Sequence, residues 1–518
     1  MQPSPGLQHS VHCFKCPSPP ASQHITPLWP LFLLLILSFL VFAPIGHLQS
    51  ASPLISDSLP PSPPWEHSAR AEELQHASPV LSIPEAVRHA LRENPQIRSV
   101  LARIDAAGQD LISARRSYGP TIGLSYGYEH QGIQSWQRTG TPPATSRLET
   151  DWSQTDLWTT RLSLNQELFA GYRLLNTAQR ASLLRDQIRL QREDVEITLG
   201  LAVQQAYLGL IQARQDRSSA ERSVRRLENQ VLVADALHRI QSRPVTDKLQ
   251  AQTRLLRARG QLESARAGEQ RQLSTLTGLL ALPADAPVRF EEQFPAVRYP
   301  HGLEQSLQTA LRCRQDIFLA ALAEDIARKN AGITRSGGLP RVTASASYTF
   351  RSDGPAFSGT NKSLEPPEEY ALGVRLAWEF DSGATLGAYQ RDLATVRSLE
   401  ADRRNTILKA TTQVQNTHTA ILEAATRLEL AQEQLATARE NYRLSAMSYR
   451  TGVGLILDLL SAESDVIDTE LAVTEARSSS AQAIAAMYAA LGVSNPTLDP
   501  MDLLQVDQTC QAVHGPLQ

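Results

Sequence analysis

The chain has 518 residues and a formal charge of −3, from 50 basic and 53 acidic side chains. That balance lacks the basic excess of a nucleic-acid binder, and four cysteines in such a length do not make a disulfide scaffold. No GxSxG, phosphate loop or histidine cluster at ligand spacing occurs, so the sequence offers no catalytic residue, no cofactor site and no metal site; Cys13 and Cys16 form a CxxC without a second pair at zinc spacing.

In chain order, residues 31–42, LFLLLILSFLVF, are uniformly apolar. The run is shorter than the roughly 20 residues that span a bilayer and fits the apolar part of a secretory signal. A signal peptide over 1–51 is expected, followed by a Pro/Ser-rich spacer over 52–80. Length alone suggests about three or four domains, but an internal duplication overrides that count. "EAVRHALRENPQI" at 85 resembles "LEQSLQTALRCRQDI" at 303, "TIGLSYGYE" at 121 answers "RVTASASYTF" at 341, and "VTDKLQAQTRLL" at 245 answers "ILDLLSAESDVI" at 456. The repeats are placed at 81–284 and 301–495, with a linker over 285–300 and a tail over 496–518.

Each repeat holds two strands with one apolar face. Ile122, Leu124, Tyr126 and Tyr128 alternate with small or polar residues, and a return strand follows at 156–168. In the second repeat the strands are expected at 341–350 and 370–380, where Tyr370, Leu372, Val374, Leu376 and Trp378 alternate with Ala371, Gly373, Arg375 and Ala377. Period two marks a half-buried strand. These strands fit a transmembrane barrel and a soluble hairpin on a core equally; the secretory signal favours the barrel. The polar connections 129–157 and 351–369 are then expected to face the cell exterior, and Tyr126, Tyr128, Trp158, Tyr348, Tyr370 and Trp378 to lie at the membrane interface.

Between strands and linker the chain is helical. Ala388 to Thr451 contains neither Gly nor Pro, and at 1.5 Å per residue such a run spans roughly 95 Å. Ile421, Ala424, Leu428, Ala431, Leu435, Ala438 and Tyr442 keep a and d heptad spacing, which suits antiparallel coiled-coil packing. Turns are expected at Gly452, Val453 and Gly454, before Leu455, and at Pro244 in the first repeat. Asp458 and Asp247 then fall in the first turn of the returning helices, where an acid suits the helix dipole.

In this order, "NQELFAG" after the second strand, "SYRTGVGLILDLLSAESDV" at the second turn and "AAMYAALG" beyond it resemble the TolC family of outer-membrane export channels, over roughly residues 81–495. The resemblance implies a mainly α chain with a membrane β-barrel portion: duplicated pairs of strands and long antiparallel coiled-coil helices. It also implies a homotrimer with a 12-stranded barrel continuing into a periplasmic helical tunnel. Implied partners are a periplasmic adaptor (membrane fusion) protein, an inner-membrane ABC or proton-driven exporter, and outer-membrane lipid. Asp458 matches a family aspartate of the tunnel constriction; Ser461 stands where some members carry another, and Asp247 is the first-repeat counterpart. Gly454 stands where some members carry a gating arginine. Outside the resemblance, Asp458 is an ordinary helix-start acid. The competing reading of the whole chain is a periplasmic coiled-coil scaffold that conducts nothing, which leaves an aromatic strand face without a use.

Overall fold

A computed structural model describes residues 80–139, 147–283, 288–352, 354–355 and 363–495, with residues 497, 498, 501, 503, 505, 506 and 510 of the C-terminal segment; of 133, 135–139, 147–155 and 363–367 only the backbone is described. The expected signal peptide, all but the last residue of the spacer, the centres of both outer connections and most of the tail lie outside the described residues.

Strand β1 (Val80–Leu81) leads into helices α1 (Ile83–Glu93) and α2 (Pro95–Arg116). Asn94 separates them: its side chain accepts from the Gln96 amide at 2.9 Å, and Pro95 takes the first helical position, where a missing N–H costs nothing. Next come β2 (Thr121–Thr139), β3 (Arg147–Ala170) and the long hairpin α3 (Arg173–Arg239) and α4 (Val245–Leu279). After β4 (Arg289–Phe290) the same sequence of elements repeats: α5 (Leu303–Cys313), α6 (Gln315–Ser336), β5 (Arg341–Ser352), β6 (Ser363–Ala377), α7 (Ala384–Arg450) and α8 (Ile456–Ala490). Both α3 and α7 have 67 residues, and both α4 and α8 have 35. The two hairpins therefore superpose in sequence at one constant offset.

The four long strands form one antiparallel sheet in the order β2-β3-β5-β6. Strands β2 and β3 pair from Thr121–Asn165 out to Thr139–Arg147, well beyond the apolar alternation that marks them in sequence. Backbone pairing continues where the sequence no longer alternates, so the outer connections are shorter than their composition suggests. Strand β6 ends at Ala377, leaving Trp378 and Phe380 beyond it.

The helices pack by the stripe seen in sequence. Ala424, Ala431 and Ala438 are buried on α7, and the larger Leu428 and Leu435 join Val473 and Ala476 of α8. Small residues opposite large ones let the backbones approach. Below the sheet, α1, α3 and α4 enclose a core around Tyr207, Leu210 and Ile211, and α5, α7 and α8 enclose another around Ile484, Met487 and Tyr488. The Tyr207 phenol bridges the edges of this layer, donating to Leu81 O at 2.5 Å and accepting from the Glu291 amide at 2.7 Å. Cys313 and Cys510 form a disulfide that ties the C-terminal segment to the end of α5.

Candidate functional site at the hairpin turns

At the second turn the two glycines serve different ends. Gly452 has φ of +85°, and its amide and those of Val453 and Gly454 bond back to the carbonyls of Tyr449 and Ser448 at 2.9–3.2 Å. This is the left-handed helix ending that glycine favours. Gly454 is needed for space: a Cβ there would lie 3.0 Å from Ser448 Cβ and 3.1 Å from Ser448 C. The first turn has no glycine, and Gln241 takes the left-handed position at φ +58°. Pro244 then fixes the backbone ahead of α4.

The turns hold each other. The Arg243 guanidinium donates to Gly454 O at 2.5 Å and lies over the Tyr449 ring, 5.2 Å from its centroid. The Tyr449 hydroxyl donates to Asp247 Oδ2 at 3.3 Å, and both side chains are buried. Burial, and then the neighbouring Asp247 charge, pushes the Tyr449 phenol up to about 12, so it remains a donor. Behind it, Tyr449 packs with Ile456, Leu459 and Leu460 of α8 and Val224 and Leu227 of α3.

Asp247 and Asp458, equivalent in sequence, thus occupy different environments. Asp247 faces inward to Tyr449, whereas Asp458 and Ser461 lie on the exposed face of α8, followed one and two turns on by exposed Asp465 and Asp468. Val453, Leu455 and Leu457 are exposed at the tip.

Further along, α3 and α8 are joined by buried charge. Glu463 accepts from Arg226 Nε at 3.0 and 3.1 Å and from Ser223 Oγ at 2.8 Å. Burial pushes its carboxyl above the ordinary range, opposed by Arg226 and Ser223. Glu470 binds Arg222 at 3.3 Å and Arg439 at 3.2 Å. Arg243 and Glu470 lie outside the quoted motifs, and Tyr449 and Glu463 lie within the one at the second turn without being singled out there; the available signal was that both acids fall among the apolar residues of α8's packed face.

At the other end of the molecule the sheet presents Ile122, Leu124, Leu372, Val374 and Leu376 as exposed apolar side chains. Trp158 stacks with Tyr126 at 5.6 Å between centroids and packs tilted on Tyr128 at 4.7 Å, and Tyr348 sits in register between Leu162 and Tyr370. Trp378 donates to Gly338 O at 3.1 Å and packs on Phe380. On β5, Ser352 is in register with Trp158, and Arg341 with Ala377, the neighbour of Trp378. The rise between those two levels is about 37 Å along the strand, or about 26 Å of membrane normal at a 45° tilt. That matches the apolar band of an outer-membrane barrel. Among the described residues, no helix is long and apolar enough to cross a membrane.

The family model for outer membrane efflux proteins matches residues 86–282 and 306–493. The chain is 24% identical over 418 residues to the pyoverdine export outer membrane protein OpmQ of Pseudomonas aeruginosa, covering 78% of this chain and 84% of that one. It is 22% identical over 436 residues to the outer membrane protein TolC of Vibrio cholerae, covering 82% and 93%. Among solved structures, the Campylobacter jejuni CmeC outer membrane channel aligns with a TM-score of 0.68 at 16% identity over 79% of this chain and 85% of that one. The outer membrane protein VceC of Vibrio cholerae aligns at 0.67 and 16% identity, covering 80% and 96%. The chain belongs to the outer membrane efflux protein family: it is a non-enzymatic outer-membrane efflux channel protein of the TolC type.

Proposed function

We propose that three copies of this chain close one barrel and serve as the exit duct of an envelope-spanning efflux or secretion assembly. The observation that carries this reading is the sheet. It has four strands with free edges at β2 and β6, and about eight strands is the minimum for closure. Its apolar aromatic face suits outer-membrane lipid. Below the barrel the hairpins continue as a tunnel, narrowed where the turns meet. Asp458 and Ser461 line that constriction, while Asp247 holds the tip together through Tyr449. The exposed tip, Gly452 to Leu455 with Pro244, is the contact for a periplasmic adaptor, which links the duct to an inner-membrane exporter driven by ATP or protons.

The test is conduction. A ring of carboxylates favours cations and binds multivalent ones. Asp458→Asn, in planar bilayers and with normal assembly, should lose cation selectivity and divalent block, whereas Asp247→Asn should change selectivity less. Unchanged selectivity and block in Asp458→Asn would remove Asp458 from the constriction.

A further inference from the structure

The two hairpins are equivalent at an offset of 211, since α3 begins at Arg173 and α7 at Ala384, and α4 at Val245 and α8 at Ile456. Within the chain α8 packs against α3. In the matching place α4 reaches α7 at the tip, where Tyr449 bonds Asp247, and the outward face of α4 beside it is open. Ile456 and Leu460 of α8 are 5% and 3% exposed, but their equivalents Val245 and Leu249 of α4 are 47% and 54% exposed. On the other side, Ser219 of α3 is 2% exposed and its equivalent Leu430 of α7 is 53% exposed. Apolar residues thus occupy two surfaces that in the other repeat are covered.

Charge says what covers them. At the closed contact, Glu470 of α8 lies between Arg222 of α3 and Arg439 of its own hairpin. The equivalents of Arg222, Glu470 and Arg439 are Glu433, Arg259 and Glu228. Every member of the triad is inverted in sign. Two of the three already meet, Arg259 and Glu228 at 2.9 Å. Glu433 lies on α7, exposed, in the other hairpin.

We propose that α7 of one copy packs on α4 of the next, and that Glu433 completes the inverted triad by pairing with the neighbouring copy's Arg259. This rests on the trimeric reading above. It adds which faces meet and why the order of hairpins is fixed. If two first hairpins met, Arg222 would face Arg259; if two second hairpins met, Glu433 would face Glu470. Like charges oppose both arrangements, so only alternation around the ring satisfies every triad.

The test exchanges signs. Glu228→Arg with Arg259→Glu keeps the pair inside the first hairpin but places a carboxylate opposite Glu433 of the neighbour. Outer-membrane trimers of that double variant should dissociate in SDS at a lower temperature than the parent's. Adding Glu433→Arg rebuilds an Arg–Glu–Arg triad and should return the midpoint to the parent's value. As a second measurement, Glu433→Cys with Arg259→Cys should give an intermolecular disulfide on oxidation in membranes, absent from either single variant. A double variant as resistant as the parent, a triple variant no better than the double, or no cross-link in a trimeric protein would overturn the pairing and leave the trimer standing. A monomeric parent would instead overturn the trimeric reading itself.

Discussion

Arg226→Ala tests how much the buried charge between α3 and α8 contributes. Arg226 bonds both oxygens of Glu463, whose side chain is 4% exposed; that of Arg226 is 22% exposed. Removing one partner of a buried pair costs about 3–5 kcal/mol, because the other charge is left without its partner. Ser223 remains on Glu463, and Arg226 is partly solvated, so the expected loss is smaller, about 2–3 kcal/mol. The loss should depend on pH. Burial already raises the Glu463 carboxyl above 4.5, and without Arg226 it rises further. The variant's native state therefore takes up a proton that its unfolded state, at 4.5, does not. Its deficit is complete above the native value and shrinks as pH falls through it. Urea unfolding followed by far-UV circular dichroism at pH 8 and pH 5 measures both. A deficit below about 0.5 kcal/mol at pH 8, or one equal at the two pH values, would refute the reasoning.

Asp216, by contrast, is half-buried, and no arginine is among the groups that shift its carboxyl. Burial first, and then the Glu475 charge, pushes its carboxyl to about 6, and its Oδ1 is buried without a hydrogen bond. The native state keeps a proton between about 3.8 and 6 that the unfolded state releases, so stability falls as pH rises through that window. Asp216→Asn should raise stability at pH 8 by about 1 kcal/mol, the shift being discounted for partial exposure, and change nothing at pH 4; equal midpoints at pH 8 would contradict this. Alkylation of the purified mature protein without reductant should label neither Cys313 nor Cys510, and both after reduction in denaturant. Free thiols in the untreated protein would contradict the tie.

The parts legible in sequence were those that one periodicity controls. Ile122 to Tyr128 and Tyr370 to Trp378 alternate because one face meets an apolar medium. Ala424, Ala431 and Ala438 recur because α7 meets α8 along a straight seam. Gly452 announces a left-handed turn. The extension of β2 to Thr139 was not legible, since backbone pairing there needs no apolar alternation. Nor was the tip clasp: Arg243 acts on a main-chain carbonyl of Gly454, at a sequence separation of 211, which leaves no side-chain signature. Asp247 and Asp458 looked alike because both start a helix, and only packing separates them. Glu463 and Glu470 were not singled out in the sequence, because the arginines that pair with them come from α3 and α7, far away in the chain.

The central claim is that three of these four-stranded sheets close one barrel in the outer membrane. Light scattering coupled to size-exclusion chromatography, on mature protein extracted gently from outer membranes, measures it directly. The expected protein mass is three times that of the mature chain. A monomer mass, or recovery of the chain in the soluble periplasmic fraction, would contradict the claim.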